Sequence, residues 1–353
     1  MTPSINSLRS GKAIYLALGL LALALPYIIT SKYLLHVVIM CYMYAIAIYG
    51  LNLILGYTGQ LSLAHAGFYG IGAYTVGILT LKLHWSFWLA LPAACILASL
   101  AGILVGLISL RLKSHYFTIF SLCVGLILFL TIEHWDSLTE GVRGLIGVPP
   151  PNPIPLPGGG SIVFTDLNAQ YYLVLLCLVF TIFVMNRIIN SMVGRTFMAI
   201  RNSEELASTI GINVFTSKLL SFVISAFFAG LAGALFAGYI RFLGPPMSHP
   251  NMTFEFLLML LIGGQGTLAG PLVGALLVNT VTESLQFMQS YRYVVFGPFL
   301  ILVVMFFPRG ITGGYYSLKN RIRLKKQPRA AHKEAPPVLA ADHAKTKSEE
   351  LRG

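Results

Sequence analysis

The chain is built from apolar runs separated by short polar connections. Most runs are about 17 to 25 residues long, the length at which an α-helix crosses the hydrocarbon core of a bilayer. This pattern constrains the fold more than any motif does. In lipid a chain has no water to satisfy its backbone, so it must span as closed helices or as a closed barrel. Barrel strands alternate apolar and polar residues, and these runs do not. The sequence therefore predicts an all-α, polytopic membrane protein. Its composition agrees: 56% of residues are hydrophobic and 10% are charged, against roughly a quarter charged in soluble domains.

The runs predict ten spans, at about 13–29, 33–55, 64–81, 87–110, 116–131, 170–189, 218–240, 253–264, 268–289 and 293–307. Arg9 and Lys12 before an apolar stretch ending near Ala22-Leu-Ala24 also resemble a cleaved signal peptide. A retained first span agrees better with the later loop charges. With the N-terminus inside, one side carries Arg111, Lys113, Arg187, Arg195, Arg201, Lys218 and the tail. The Lys/Arg bias then places both termini in the cytoplasm. From Arg309 onward the tail has eleven Lys/Arg and four Asp/Glu, so it supplies +7 of the net +12. Positive-inside orientation explains that charge without nucleic acid. The domain reading is a cytoplasmic segment 1–12, a transmembrane domain 13–311, and a basic, disordered tail 312–353. The tail's KNRIRLKK stretch, Lys319–Lys326, suits anionic lipid headgroups. Cys41, Cys95, Cys123 and Cys177 each fall in an apolar run and are expected to be buried thiols.

One span carries unusual chemistry. Gly50–Gly77, GLNLILGYTGQLSLAHAGFYGIGAYTVG, holds seven glycines with Asn52, Gln60, Ser62 and His65 among them. Amide, hydroxyl and imidazole groups at membrane depth must face a partner or a water-filled cavity. These residues, with Gln265, are the candidates for a transport path. His65 is more readily read as a helix-end or core histidine, and Asn52 and Gln60 equally well as ties between helices. Small residues also recur at packing spacing: Ala66, Gly70, Ala73 and Gly77, then Gly102/Gly106, Ala226/Gly230, Ala229/Gly233 and Gly270/Gly274. Such faces let membrane helices approach closely.

Two connections stand out. The outer one, 132–169, includes prolines at 149, 150, 151, 153, 155 and 157. Those favour polyproline II and argue against helix or sheet. The loop is either a stiff exposed connection or a docking surface. Arg143, Arg241 and Arg292 are outer-face cations suited to acidic residues of an external protein. The inner connection, 190–217, predicts a two-turn helix over about Ser203–Ile210. Asn202 and Glu205 have capping-box-like spacing, and Gly211 suits the left-handed position past a helix end. Leu206 and Ile210 share a face. So short a helix needs something to pack on.

Glu205-Leu206-Ala207-xxx-Gly211 resembles the E-A-A-x-x-x-G coupling motif of ABC importer permeases, with Leu206 in place of the first Ala. The wider chain resembles the branched-chain amino acid permease family, in its M-type branch. That resemblance rests on Asn52–Thr75, Gly141–Pro151, Ala199–Leu235, GGQGTLAGP at Gly263–Pro271 and FFPRGI at Phe306–Ile311. Gly-Val142-Arg143-Gly stands where relatives commonly have Gly-Asp/Asn-Gly, and Ala64 stands where Gly is usual before His65. The resemblance implies a permease paired with a homologous second permease. It also implies two ATPase subunits below, a periplasmic binding protein above, and coupling through Glu205, Leu206, Ala207, Ile210 and Gly211. The solute would be a branched-chain amino acid, or urea, a short amide or an aromatic acid.

The chain itself offers no ATP chemistry and calls for no cofactor. A G-x-x-x-x-G-K-[ST] loop is absent. Leu261-Ile-Gly-Gly-Gln265 resembles a fragment of the ABC ATPase signature, but it sits at a membrane helix end without a phosphate loop. Metal spacing and a nucleophile triad are absent too, so an integral-membrane enzyme is disfavoured. An ion-driven secondary transporter would need buried ionisable residues, which are scarce. Finally, Gly56, Gly59, Leu61 and Gly67 repeat as Gly263, Gly266, Leu268 and Gly274 at a constant offset of 207. This predicts an internal repeat, with the helix-break glycines Gly56, Gly59, Gly263 and Gly266 at matching depths.

Overall fold

A computed structural model describes residues 19–29, 31–112, 114–155, 161–284 and 310–314. The expected tail beyond residue 314, the last expected span and Arg292 lie outside them. The described helices follow the apolar runs in order. They are α1 (Gly19–Ile28), α2 (Lys32–Leu51), α3 (His65–Leu81), α4 (Phe87–Ser109) and α5 (Ser114–His134). After a short α6 (Asp136–Thr139) come α7 (Leu167–Ile189), α8 (Met192–Asn202), α9 (Glu204–Thr209), α10 (Val214–Ile240), α11 (Pro250–Gly263) and α12 (Gly270–Ser284). The chain leaves α2 through a π-helical turn, Asn52–Tyr57.

Among the described residues, five helices are long and apolar enough to cross a membrane: Lys32–Tyr57, Phe87–Ser109, His115–His134, Leu167–Ile189 and Val214–Ile240. The other expected spans that are described are helical but shorter, α11 having 14 residues. At 1.5 Å per residue such a helix reaches only about 21 Å.

Helices α2, α3, α4 and α10 pack together, with α10 against each of the other three. Lipid is as apolar as leucine, so close van der Waals packing must hold them. The small-residue faces do this. Gly72 of α3 lies against the backbone of Gly230 in α10, and Gly230 in turn meets Ala98 of α4. Gly102 faces Ala226, and Gly233 faces the backbone of Tyr69. Around this centre α1 rests on α7, where Tyr171 and Tyr172 donate to the carbonyls of Ala22 (2.6 Å) and Leu23 (3.1 Å). Helix α12 is tied to α2 through Asn279, whose amide lies 3.3 Å from Cys41 Sγ. Cys41 and Cys95 are buried as expected, whereas Cys123 is exposed and Cys177 half-buried. The last two lie on the peripheral helices α5 and α7, where an apolar run faces outward.

The connection between α5 and α7 corrects the expectation of an unpaired proline loop. Its strand β1 (Leu145–Ile146) pairs antiparallel with β4 (Phe242–Leu243), and β2 (Ile154–Pro155) pairs with β3 (Ser161–Ile162). Pro155 faces Ser161 at the end of a two-residue ladder, an edge position where the missing N–H costs little. Asn152 fastens this loop to α4, accepting from the Phe87 N–H at 2.8 Å and receiving the Trp88 indole on its carbonyl at 3.0 Å.

Replacing Gly72 by leucine puts a side chain into the Gly230 backbone without lowering hydropathy. The expected outcome is normal membrane insertion with a loss of about 1–3 kcal/mol in stability, read as a lower Tm in detergent.

Candidate functional site

At the end of the bundle where 58–64, 190–213 and 264–269 meet, the two glycine turns predicted from the repeat lie against one another. Gly59 and Gly266 both take left-handed backbone conformations, φ +80° and +71°. A side chain on either would strike Arg201, and one on Gly56 would strike Asn52 and the Gly266 backbone. The two turns thus lie side by side at one end of the bundle.

Asn52 makes the join. Its Oδ1 accepts from the Gly266 N–H at 2.8 Å, and its Nδ2 donates to the Thr267 carbonyl at 2.9 Å. An amide suits this role because it offers donor and acceptor together. Tyr49 adds a bond to the Leu268 carbonyl at 2.8 Å. From the end of the FFPRGI motif, Thr312 reaches Thr267 at 2.9 Å and donates to the Gly263 carbonyl. The first turn is held from α5: Ser121 accepts from the Leu63 N–H (2.9 Å) and Thr118 donates to the Leu61 carbonyl (3.1 Å).

The other expected path residues part company. His65 is buried; its Nε2 donates to the Ala47 carbonyl at 2.8 Å, and its Nδ1 faces Ser225 Oγ at 3.4 Å. It ties α3 to α2 and α10, the core-histidine reading. Gln60 and Ser62 are buried, with Gln60 Oε1 and Ser62 Oγ lacking a hydrogen-bond partner among the described residues. Gln265 is exposed on the second turn. None of these residues lines the cavity of about 480 Å³ between α2, α11 and α12, whose polar lining is Tyr44, Asn251, Glu255, Asn279, Thr282 and Glu283.

The inner connection folds as α8 and α9 with Ser203 between them. Ser203, not Asn202, caps α9: its hydroxyl accepts from the Leu206 N–H at 3.2 Å. Asn202 is instead the last residue of α8, a helix the sequence reading did not separate. Ser203 has the extended backbone that a cap needs, φ −163° and ψ 117°. Helix α9 buries Ala207 and exposes Leu206 and Ile210, 69% and 73% accessible. Gly211 is left-handed at φ +84°, ending the helix as expected. Glu205 is exposed. Its neighbour Glu204 pairs at 2.6 Å with Lys218, which is buried in the first turns of α10. Sequence reasoning placed Lys218 and Arg201 with the loop charges and passed over Glu204. Spacing across 14 residues carried no signal for the pair.

At the opposite end Arg143 and Arg241 are both exposed beside the β1–β4 ladder. Arg241 is also left-handed, φ +61°, and its carbonyl accepts from the N–H groups of Gly147 and Val148.

Residues 33–304 match the family model described as branched-chain amino acid transport system / permease component. The chain belongs to this family. It is 31% identical to the high-affinity branched-chain amino acid transport system permease protein LivM of Escherichia coli, across 90% of this chain and 80% of that protein. Similarity to LivM of Salmonella typhimurium is 30%, across 85% of this chain and 74% of that protein. The permease protein LivH of Salmonella typhimurium is 28% identical across 76% of this chain and 91% of its own length. No solved structure matches the chain. This multi-pass membrane protein is a transport permease component, which is not an enzyme. LivM and LivH are both named as permease proteins of branched-chain amino acid transport systems.

Replacing Asn52 by leucine leaves the Gly266 N–H and the Thr267 carbonyl unpaired, about 1–3 kcal/mol for each group. A lower Tm and faster proteolysis at 264–269 are expected. Gln265→Ala, on the exposed face of the same turn, should stay within about 0.5 kcal/mol of the parent.

Proposed function

We propose that the chain is the M-type permease of an ATP-driven importer. It would pass branched-chain amino acids, delivered by a periplasmic binding protein, across a bacterial inner membrane with both its termini in the cytoplasm. The observation that carries the coupling part is α9. A six-residue helix is too short to be stable alone, and it holds two large apolar side chains, Leu206 and Ile210, away from its own bundle. An apolar pair at i,i+4 on a capped helix suits a groove on a partner, and the E-A-A-like motif supports an ABC ATPase subunit as that partner. Two such subunits would serve the permease pair. Burial of Ala207 against the bundle and the Glu204–Lys218 pair make α9 a firm knob.

At the other end, Arg143 and Arg241 flank exposed Val142, Ile146 and Phe242. This surface suits a binding protein with acidic lobes, as the charge reading expects. The cavity between α2, α11 and α12 supports a small polar solute. Amides and a hydroxyl can replace water around it, and the carboxylates Glu255 and Glu283 favour an ammonium group over an anion. The same architecture would also serve urea, short amides or aromatic acids. The amino-acid reading is preferred for its agreement with those carboxylates and with the relatives' names.

Uptake of radiolabelled leucine by proteoliposomes holding the assembled importer tests this reading, with the binding protein's ligand found by thermal shift. Glu205→Lys reverses the charge in the first turn of α9. Gly211→Pro demands φ near −65° where the backbone is at +84°. Both should abolish uptake and substrate-stimulated ATP hydrolysis while leaving membrane insertion intact. Normal uptake in both variants would refute the coupling role.

A further inference from the structure

We infer that Arg201 is a positioning residue that links α9 to the membrane-spanning helices, carrying its motion to both glycine turns together. This rests on the reading of α9 as the ATPase contact.

Arg201 occupies the last turn of α8, with only Asn202 and the cap Ser203 between it and α9. Its Nη1 donates to the Gly56 carbonyl. The final carbonyls of a helix have no partner within it, and here the side chain of another helix supplies one. The same side chain lies over Gly59 with its stem and over Gly266 with its guanidinium; a Cβ at either glycine would meet it. Both turns have therefore given up side chains where Arg201 rests. Because Asn52 bonds Gly266 and Thr267 from the start of the π-helical turn, a pull on Arg201 cannot move one turn without the other. A planar, permanently charged fork with several donors suits such a bridge, and an ammonium does not.

The segment it holds departs from a regular α-helix. Asn52–Tyr57 is π-helical, with the Thr58 N–H reaching back to the Leu53 carbonyl at 3.2 Å. Such turns hold one extra residue relative to an α-helix and recur at functional sites. Releasing that residue would rotate the chain beyond it by about 100°. Beyond it lie Gln60 and Ser62, whose buried polar atoms lack partners in this arrangement. A buried unpaired polar atom is costly, so a second arrangement that pairs them is within reach.

The test compares Arg201→Gln and Arg201→Lys in the assembled importer, measuring leucine uptake per ATP hydrolysed alongside the yield of assembled complex. Arg201→Gln should assemble and hydrolyse ATP within about twofold of the parent while uptake per ATP falls about tenfold or more, within the usual range of coupling between sites. Arg201→Lys should recover part of that ratio, since it keeps one charged donor for the Gly56 carbonyl. An unchanged ratio in Arg201→Gln overturns the inference. So does a loss confined to assembly that lysine restores in full, because that marks a merely structural tie. Leu206→Asp, run in parallel, separates the two readings. If it leaves uptake intact, the ATPase contact at α9 falls. If it abolishes uptake while Arg201→Gln keeps the parent ratio, only the role of Arg201 falls.

Discussion

Everything in this bundle depends on backbone meeting backbone where α3 and α10 cross. A methyl group on Gly72 would strike the Gly230 backbone, and one on Gly230 would strike Ala98 of α4. In water, burial of apolar area could hold such helices; in lipid the helices gain nothing from leaving an equally apolar solvent. Contact must come from close approach, and close approach needs missing side chains. With α10 fixed in this way, α2 is enclosed, and His65 can satisfy both ring nitrogens across the three helices α2, α3 and α10.

A second constraint governs the end of the bundle that carries α9. Helix ends expose carbonyls and N–H groups that lipid cannot satisfy. The chain breaks α2 and α11 there with glycine turns and then pairs the breaks. Asn52 serves the second turn from the first, Thr312 closes the second from the FFPRGI side, and Arg201 caps the carbonyl of Gly56. Asn52 is thus committed to the break and His65 to the tie between α2, α3 and α10. Neither lines the cavity that holds Asn279, Thr282, Glu255 and Glu283.

Much of this was legible in the chain. The repeat offset between Gly56 and Gly263 marked two turns that prove to touch, and Gly211 marked a left-handed residue that is found there. Misreadings came where a local rule had competitors. Asn202 and Ser203 are both good caps, and only the backbone at Ser203 is extended. Proline argued against sheet in 149–157, yet Pro155 tolerates the end of a two-residue ladder. Lys218 looked like a loop cation because its partner Glu204 is too distant in sequence for spacing to reveal.

Hydropathy alone determined that this chain lives in a bilayer as helices, because unpaired backbone in lipid leaves few alternatives. It could not rank those helices. Lys32–Tyr57 and His115–His134 have the same mean hydropathy, 2.0, yet 83% of one window and 22% of the other is buried within the protein. A leucine facing lipid and a leucine facing α10 are equally apolar neighbours, so only the tertiary packing decides which helix forms the centre. For the same reason only the tertiary structure brought Arg201, Asn52 and the two glycine turns to one place.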